Sequence, residues 1–127
     1  MTPIFIALGG ALGSLVRWWI SQALALAFGP QFPWGTLFVN VTGSLLIGMA
    51  AGGSWNDARL IDSPFVRYFF MVGICGGYTT FSAFSLQTLA LLQAGEVGRA
   101  GLNVFASVAA CLAATWAGYA LAAALAR

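Results

Sequence analysis

The chain has 127 residues, 61% of them hydrophobic and 6% charged, with a formal net charge of +2. A soluble domain is about 25% charged, so this composition leaves too few polar groups to cover a water-facing surface and fits a chain dissolved in lipid. The small charge excludes a polybasic nucleic-acid surface, and a chain with no His, whose acids Asp57, Asp62 and Glu96 all lie in short polar stretches, has little to offer an enzyme or a His/Cys metal centre.

A membrane-spanning helix needs roughly 20 mostly apolar residues. The first candidate runs from about Ile4 to Phe28 and stops at Gly29-Pro30. It lacks the basic start of a secretory signal and stays apolar well past the length of one, so it is expected to be a span. Gly9, Gly10 and Gly13 give it a face that a neighbouring backbone can approach closely. Arg17 lies inside it, and no acid lies in any span to pair with it. An Arg at that depth costs at least about 2.5–3.5 kcal/mol, so it should either face a wet vestibule, where it attracts anions, or snorkel past Trp18 and Trp19 to the interface.

The second candidate runs from about Trp34 to Gly52, with Gly43 and Gly48 along it. Asn40 falls near its middle, at the end of Gly35-Thr36-Leu37-Phe38-Val39-Asn40. Its amide offers two donors and an acceptor, either to a neighbouring helix or to a ligand.

The third runs from about Val66 to Leu92, and it is the least ordinary. Unbroken, it would be about 40 Å long, against a hydrocarbon core of about 30 Å. Its centre reads Gly76-Gly77-Tyr78-Thr79-Thr80-Phe81-Ser82-Ala83-Phe84-Ser85. Gly and Thr are poor helix formers, so a break is expected at Gly76 to Thr80. Non-helical backbone at that depth is tolerated only inside protein or along a water-filled cavity, and half-helix ends there bind ions. The plainer alternative is a glycine kink with hydroxyls bonded back to the preceding turn. Phe81 and Phe84, three apart, share a helix face, and ring edges turned into a pore would suit a small anion.

The fourth runs from about Leu102 to Ala126. Asn103, Ser107, Cys111 and Thr115 recur every four residues and form one ridge. That ridge reads as a polar track or as a seam of small residues. Cys75 and Cys111, both in apolar runs, are expected to be packed thiols rather than a disulfide.

The breaks between spans are short, which makes the helices antiparallel neighbours in a single all-α domain over 1–127. With four spans, both termini share a side with Arg59, Arg67 and Arg127, against Arg99 on the other. Three cations against one orient a chain weakly. Small-residue faces on several helices of so short a chain point to self-association.

Three runs carry a resemblance: Gly9-Gly10-x-x-Gly13-x-x-x-Arg17; Gly35-Thr36-Leu37-x-Val39-Asn40; and Gly73-x-Cys75-Gly76-Gly77-x-Thr79-Thr80-Phe81-Ser82-x-Phe84-Ser85. In this order, over nearly the whole chain, they resemble the CrcB/Fluc family of fluoride channels. The resemblance implies an antiparallel, dual-topology homodimer in the cell inner membrane with two pores, exporting fluoride passively and needing no other protein partner. It implies a structural sodium ion held at the dimer axis by backbone carbonyls of Gly76 and Thr79. It places Asn40, Phe81, Phe84 and Ser107 along the fluoride path, Arg17 beside the vestibule, and Thr115 further along the track. The chain departs from the family pattern at Ala83, Gln87 and Asn103, where a hydroxyl, a Glu and often a Tyr are usual. The main alternative is a small dual-topology, proton-coupled exporter, which would need a carboxylate inside the membrane; a membrane assembly subunit is another.

Overall fold

A computed structural model describes residues 1–56 and 63–125. Arg59 and Arg127, two of the cations in the orientation reading, lie outside that set. Helix α1 (Thr2–Phe28) carries a proline in its first turn and ends at Gly29, whose φ of 83° lets its N–H return to the Ala25 carbonyl at 2.9 Å. Helix α2 (Trp34–Asn56) follows Pro33. The third span is composite: α3 (Phe65–Cys75) has the wider π winding, α4 (Gly76–Tyr78) is a single α turn, and α5 (Phe81–Gln93) resumes after two extended residues. Gly95, at φ 79°, turns the chain into α6 (Val97–Leu125).

Among the described residues, four segments are long and apolar enough to cross a membrane: Thr2–Phe28, Trp34–Gly53, Phe65–Gln93 and Val97–Leu125. The protein is a multi-pass, all-helical membrane protein. The helices pack in two close pairs, α1 against α3 and α4, and α2 against α6. Glycine sets both distances. A Cβ on Gly13 would lie 2.8 Å from the Tyr78 nitrogen, and one on Gly118 3.0 Å from the Met49 nitrogen. In lipid, where helices are not pushed together by water, such backbone contact supplies much of the attraction.

Few side chains are wholly enclosed; Val39, Cys75, Ala100 and Asn103 are among them. Leu26, Phe105, Leu112 and Trp116 point outward, a distribution that only an apolar surrounding tolerates. The notable exceptions to an apolar interior are Thr36, Asn103 and Ser107.

The break is narrower than the sequence suggests. Gly76 and Gly77 stay helical, and the helix opens only at Thr79 (φ −89°, ψ 158°) and Thr80 (φ −153°, ψ 113°). Gly77 serves close packing instead: a Cβ on it would lie 2.6 Å from the Gly10 carbonyl oxygen, whereas one on Gly76 would meet nothing nearer than the Met71 carbonyl of its own span, 4.0 Å away.

Candidate functional site

An unbroken helix would pair the carbonyls of Gly76, Gly77 and Thr79 with the N–H groups of Thr80, Phe81 and Ala83. Extending Thr79 and Thr80 dissolves those pairings, and side chains from two other helices, with the Thr80 hydroxyl, take up several of the freed groups. The Thr80 N–H donates to Asn40 Oδ1 at 2.7 Å, and Asn40 Nδ2 donates back to the Thr80 carbonyl at 3.1 Å. One amide from α2 thus satisfies both backbone groups of one extended residue. Arg17 Nε donates to the Gly77 carbonyl at 3.0 Å, which places the intramembrane cation of α1 against the last turn before the break. Thr80 caps the new helix, its Oγ1 accepting from the Ala83 N–H at 3.1 Å. On the other side, the Thr79 N–H and hydroxyl both donate to the Cys75 carbonyl, at 3.0 and 2.9 Å. The carbonyls of Gly76 and Thr79 are left without their helical donors, because those donors bond to Asn40 and to the Thr80 hydroxyl.

A cavity of about 700 Å³ opens beside the break. Asn40, Gly76, Thr79, Thr80, Phe81, Phe84, Ser107 and Cys111 line it, and Arg67 stands at its other reach. Phe84 is almost wholly buried, whereas Phe81 is 76% exposed, yet the rings sit 5.4 Å apart and tilted by 48°. A shared helix face therefore puts both on the cavity without giving them the same environment.

The polar ridge of α6 divides. Asn103 and Ser107 are buried and joined: Ser107 Oγ donates to Asn103 Oδ1 at 3.4 Å, and Asn103 Nδ2 donates to Thr88 Oγ1 at 2.9 Å. Thr88 in turn donates to the Phe84 carbonyl at 2.8 Å. The chain from Ser107 to Phe84 thus passes through Thr88, which sequence reasoning did not single out; its place four residues after Phe84 was the available signal. Thr115 Oγ1 bonds back to the Cys111 carbonyl at 3.0 Å, and Thr115 is not among the cavity's lining residues. Its backbone instead meets Gly48.

Tyr78 and Thr42 were also missed. Their hydroxyls lie 2.7 Å apart, next to the break. A second cavity, of about 500 Å³, lies where α1, α2, α5 and α6 end near the connecting loops. Gln87 lines it, with an enclosed Oε1 that has no hydrogen-bond partner, and Glu96 and Arg99 stand at its rim, paired at 3.9 Å. Both are about half exposed, so that pair contributes little.

Among the described residues, no cluster of three His, Cys, Asp or Glu side chains could hold a metal. The oxygens on the cavity are neutral ones, from backbone carbonyls and from amide and hydroxyl side chains such as Asn40 and Ser107. The carbonyls freed at Gly76 and Thr79, both on the cavity, fit a hard monovalent cation.

The family described as CrcB-like protein, camphor resistance (CrcB), matches residues 4–119. A fluoride-specific ion channel FluC from Rhodospirillum rubrum is 52% identical over 119 residues, covering 94% of this chain and 92% of that protein. The protein of the same name from Paramagnetospirillum magneticum is also 52% identical over 119 residues, covering 94% and 93%. That of Opitutus terrae is 51% identical over 116 residues, covering 91% and 88%.

Proposed function

The chain belongs to the CrcB-like family, and from that premise we propose that it is a fluoride-specific ion channel that lets fluoride leave the cell passively across the inner membrane. One observation carries the reading from the chain's own chemistry: a transmembrane helix is opened at Thr79 and Thr80, and Arg17 and Asn40 reach from two other helices to hold it open. A helix that served only to pack would gain nothing from this.

Fluoride is small and strongly hydrated, so it enters a membrane only where donors replace its water. The cavity offers such donors without a carboxylate. Asn40 has a second amide hydrogen beyond the one given to Thr80, and the Phe81 and Phe84 rings have positive edges; the Ser107 hydroxyl, whose hydrogen goes to Asn103 at 3.4 Å, would serve fluoride by turning from that bond. Arg17, with Nε on Gly77, is not among the cavity's lining residues and would act from behind them, raising the local anion concentration. Thr115 would act further along α6, where its hydroxyl is back-bonded in the single chain.

The working unit of this reading is an antiparallel homodimer. What supports it is Phe81, 76% exposed on a cavity that one chain leaves open. The sodium ion belongs to the same reading. Gly76 and Thr79 would hold it through their carbonyls, and it would supply fixed positive charge at the joint between copies.

A proton-coupled exporter would need a titratable carboxylate within a span, and Glu96, the acid among the described residues, sits between α5 and α6. The experiment is growth of a bacterium stripped of its own fluoride exporter. Expression of the chain should restore growth in fluoride medium. Membrane-inserted protein that restores none would remove the proposal, and restoration abolished by collapsing the proton gradient alone would favour the exporter.

A further inference from the structure

We propose that Tyr78 and Thr42 form a positioning pair that sets the sodium affinity of the break; this rests on the sodium reading given above. Tyr78 is the last residue of α4 and only 8% exposed, and its hydroxyl lies 2.7 Å from Thr42 Oγ1. The direction of that bond follows from its neighbour. Thr42 donates its own hydrogen to the Phe38 carbonyl at 2.8 Å, so Tyr78 is the donor and Thr42 the acceptor.

The pair completes a grip. Asn40 holds Thr80, Thr42 holds Tyr78, and Gly43 leaves room for the residue between them, since a Cβ there would meet the Thr79 methyl and lie 3.1 Å from the Tyr78 ring. Three positions of α2 thus hold three successive residues of the third span. Segment α4 is only three residues long. Arg17 fixes it at Gly77 from the α1 side, and Tyr78 fixes it from the α2 side. The rotation of that turn decides where the Gly76 and Thr79 carbonyls point. A small cation bound by carbonyls is sensitive to their placement, so loosening one of two holds should weaken binding while leaving the bundle assembled.

The test uses the purified full chain in detergent, with thermal unfolding followed as sodium replaces N-methylglucamine, and sodium-dependent fluoride flux in liposomes as the second readout. Tyr78→Phe removes only the donor and leaves Thr42 bonded to Phe38. It is expected to raise the sodium midpoint in both readouts by roughly three- to tenfold, the range a single neutral hydrogen bond is worth. Thr42→Ser keeps the acceptor and should behave as the unaltered chain. Adding Thr42→Val to Tyr78→Phe should shift the midpoint no further, because the partner is already gone. A Tyr78→Phe chain that melts lower at every sodium concentration with an unshifted midpoint overturns the inference, as does one unchanged in both respects. If the unaltered chain shows no sodium response at all, the sodium reading itself fails, and this inference with it.

Discussion

Asn40 replaces a helical turn with a single side chain. Its amide takes the Thr80 N–H and returns a donor to the Thr80 carbonyl, so the residue is as much a structural clasp as a lining group. Asn40→Ala should therefore destabilise the folded chain by about 1–3 kcal/mol, through two backbone groups left unpaired in a membrane interior, and lower fluoride flux as well; thermal unfolding in detergent and flux from liposomes read the two effects separately. Phe81→Ile separates them the other way. The ring is 76% exposed, so unfolding of the single chain should shift by less than about 0.5 kcal/mol while flux falls severalfold. Retained rapid flux would remove Phe81 from the path. Arg17 and Asn40 were legible in the sequence because lipid makes each of them conspicuous. Their partners were not, because a carbonyl such as that of Gly77 or Thr80 carries no sign of its fate in the sequence. Thr42, Tyr78 and Thr88 were passed over for a related reason: a hydroxyl in a span usually bonds within its own helix, and only the packing shows which ones reach across.

At the scale of the helices, the break itself could be read from composition and its position only approximately. Glycine pairs weaken a helix, so Gly76 and Gly77 were natural suspects. In the folded chain both remain helical, Gly77 with Gly10 of α1 packed against it, and the extended residues are the two threonines, for which Asn40 and a helix-capping hydroxyl provide. The π winding of Phe65–Cys75 had no sequence signal that pattern reasoning could use. Close pairing of α1 with the third span yields a sharp contrast. An Ala at Gly13 would press on backbone at the Tyr78 nitrogen, 2.8 Å away, whereas Gly10 has no atom within 4 Å of an added Cβ. Gly13→Ala should lower thermal stability by about 1–3 kcal/mol and broaden the size-exclusion peak, and Gly10→Ala should do neither. Equal behaviour of the two would mean that α1 does not dock as described.

For the whole molecule, four helices long enough to span followed from hydropathy alone, since lipid demands long apolar helices and little else; the fourth begins at Val97 rather than about Leu102, and its expected end at Ala126 lies outside the described residues. What one chain lacks is a closed path. Its main cavity is open, Phe81 faces outward, and apolar side chains such as Phe105 and Leu112 cover the surface of α6. The protein in mild detergent should accordingly have the mass of two chains by light scattering, and a tag on its N-terminus should be accessible from both sides of the cell membrane. The most direct test of the central claim is anion release from liposomes holding both fluoride and chloride, with potassium and valinomycin supplying the balancing charge. Fast fluoride release is expected, with chloride retained and no need for a proton gradient. Fluoride release no faster than from protein-free vesicles, or chloride released alongside it, would contradict the claim.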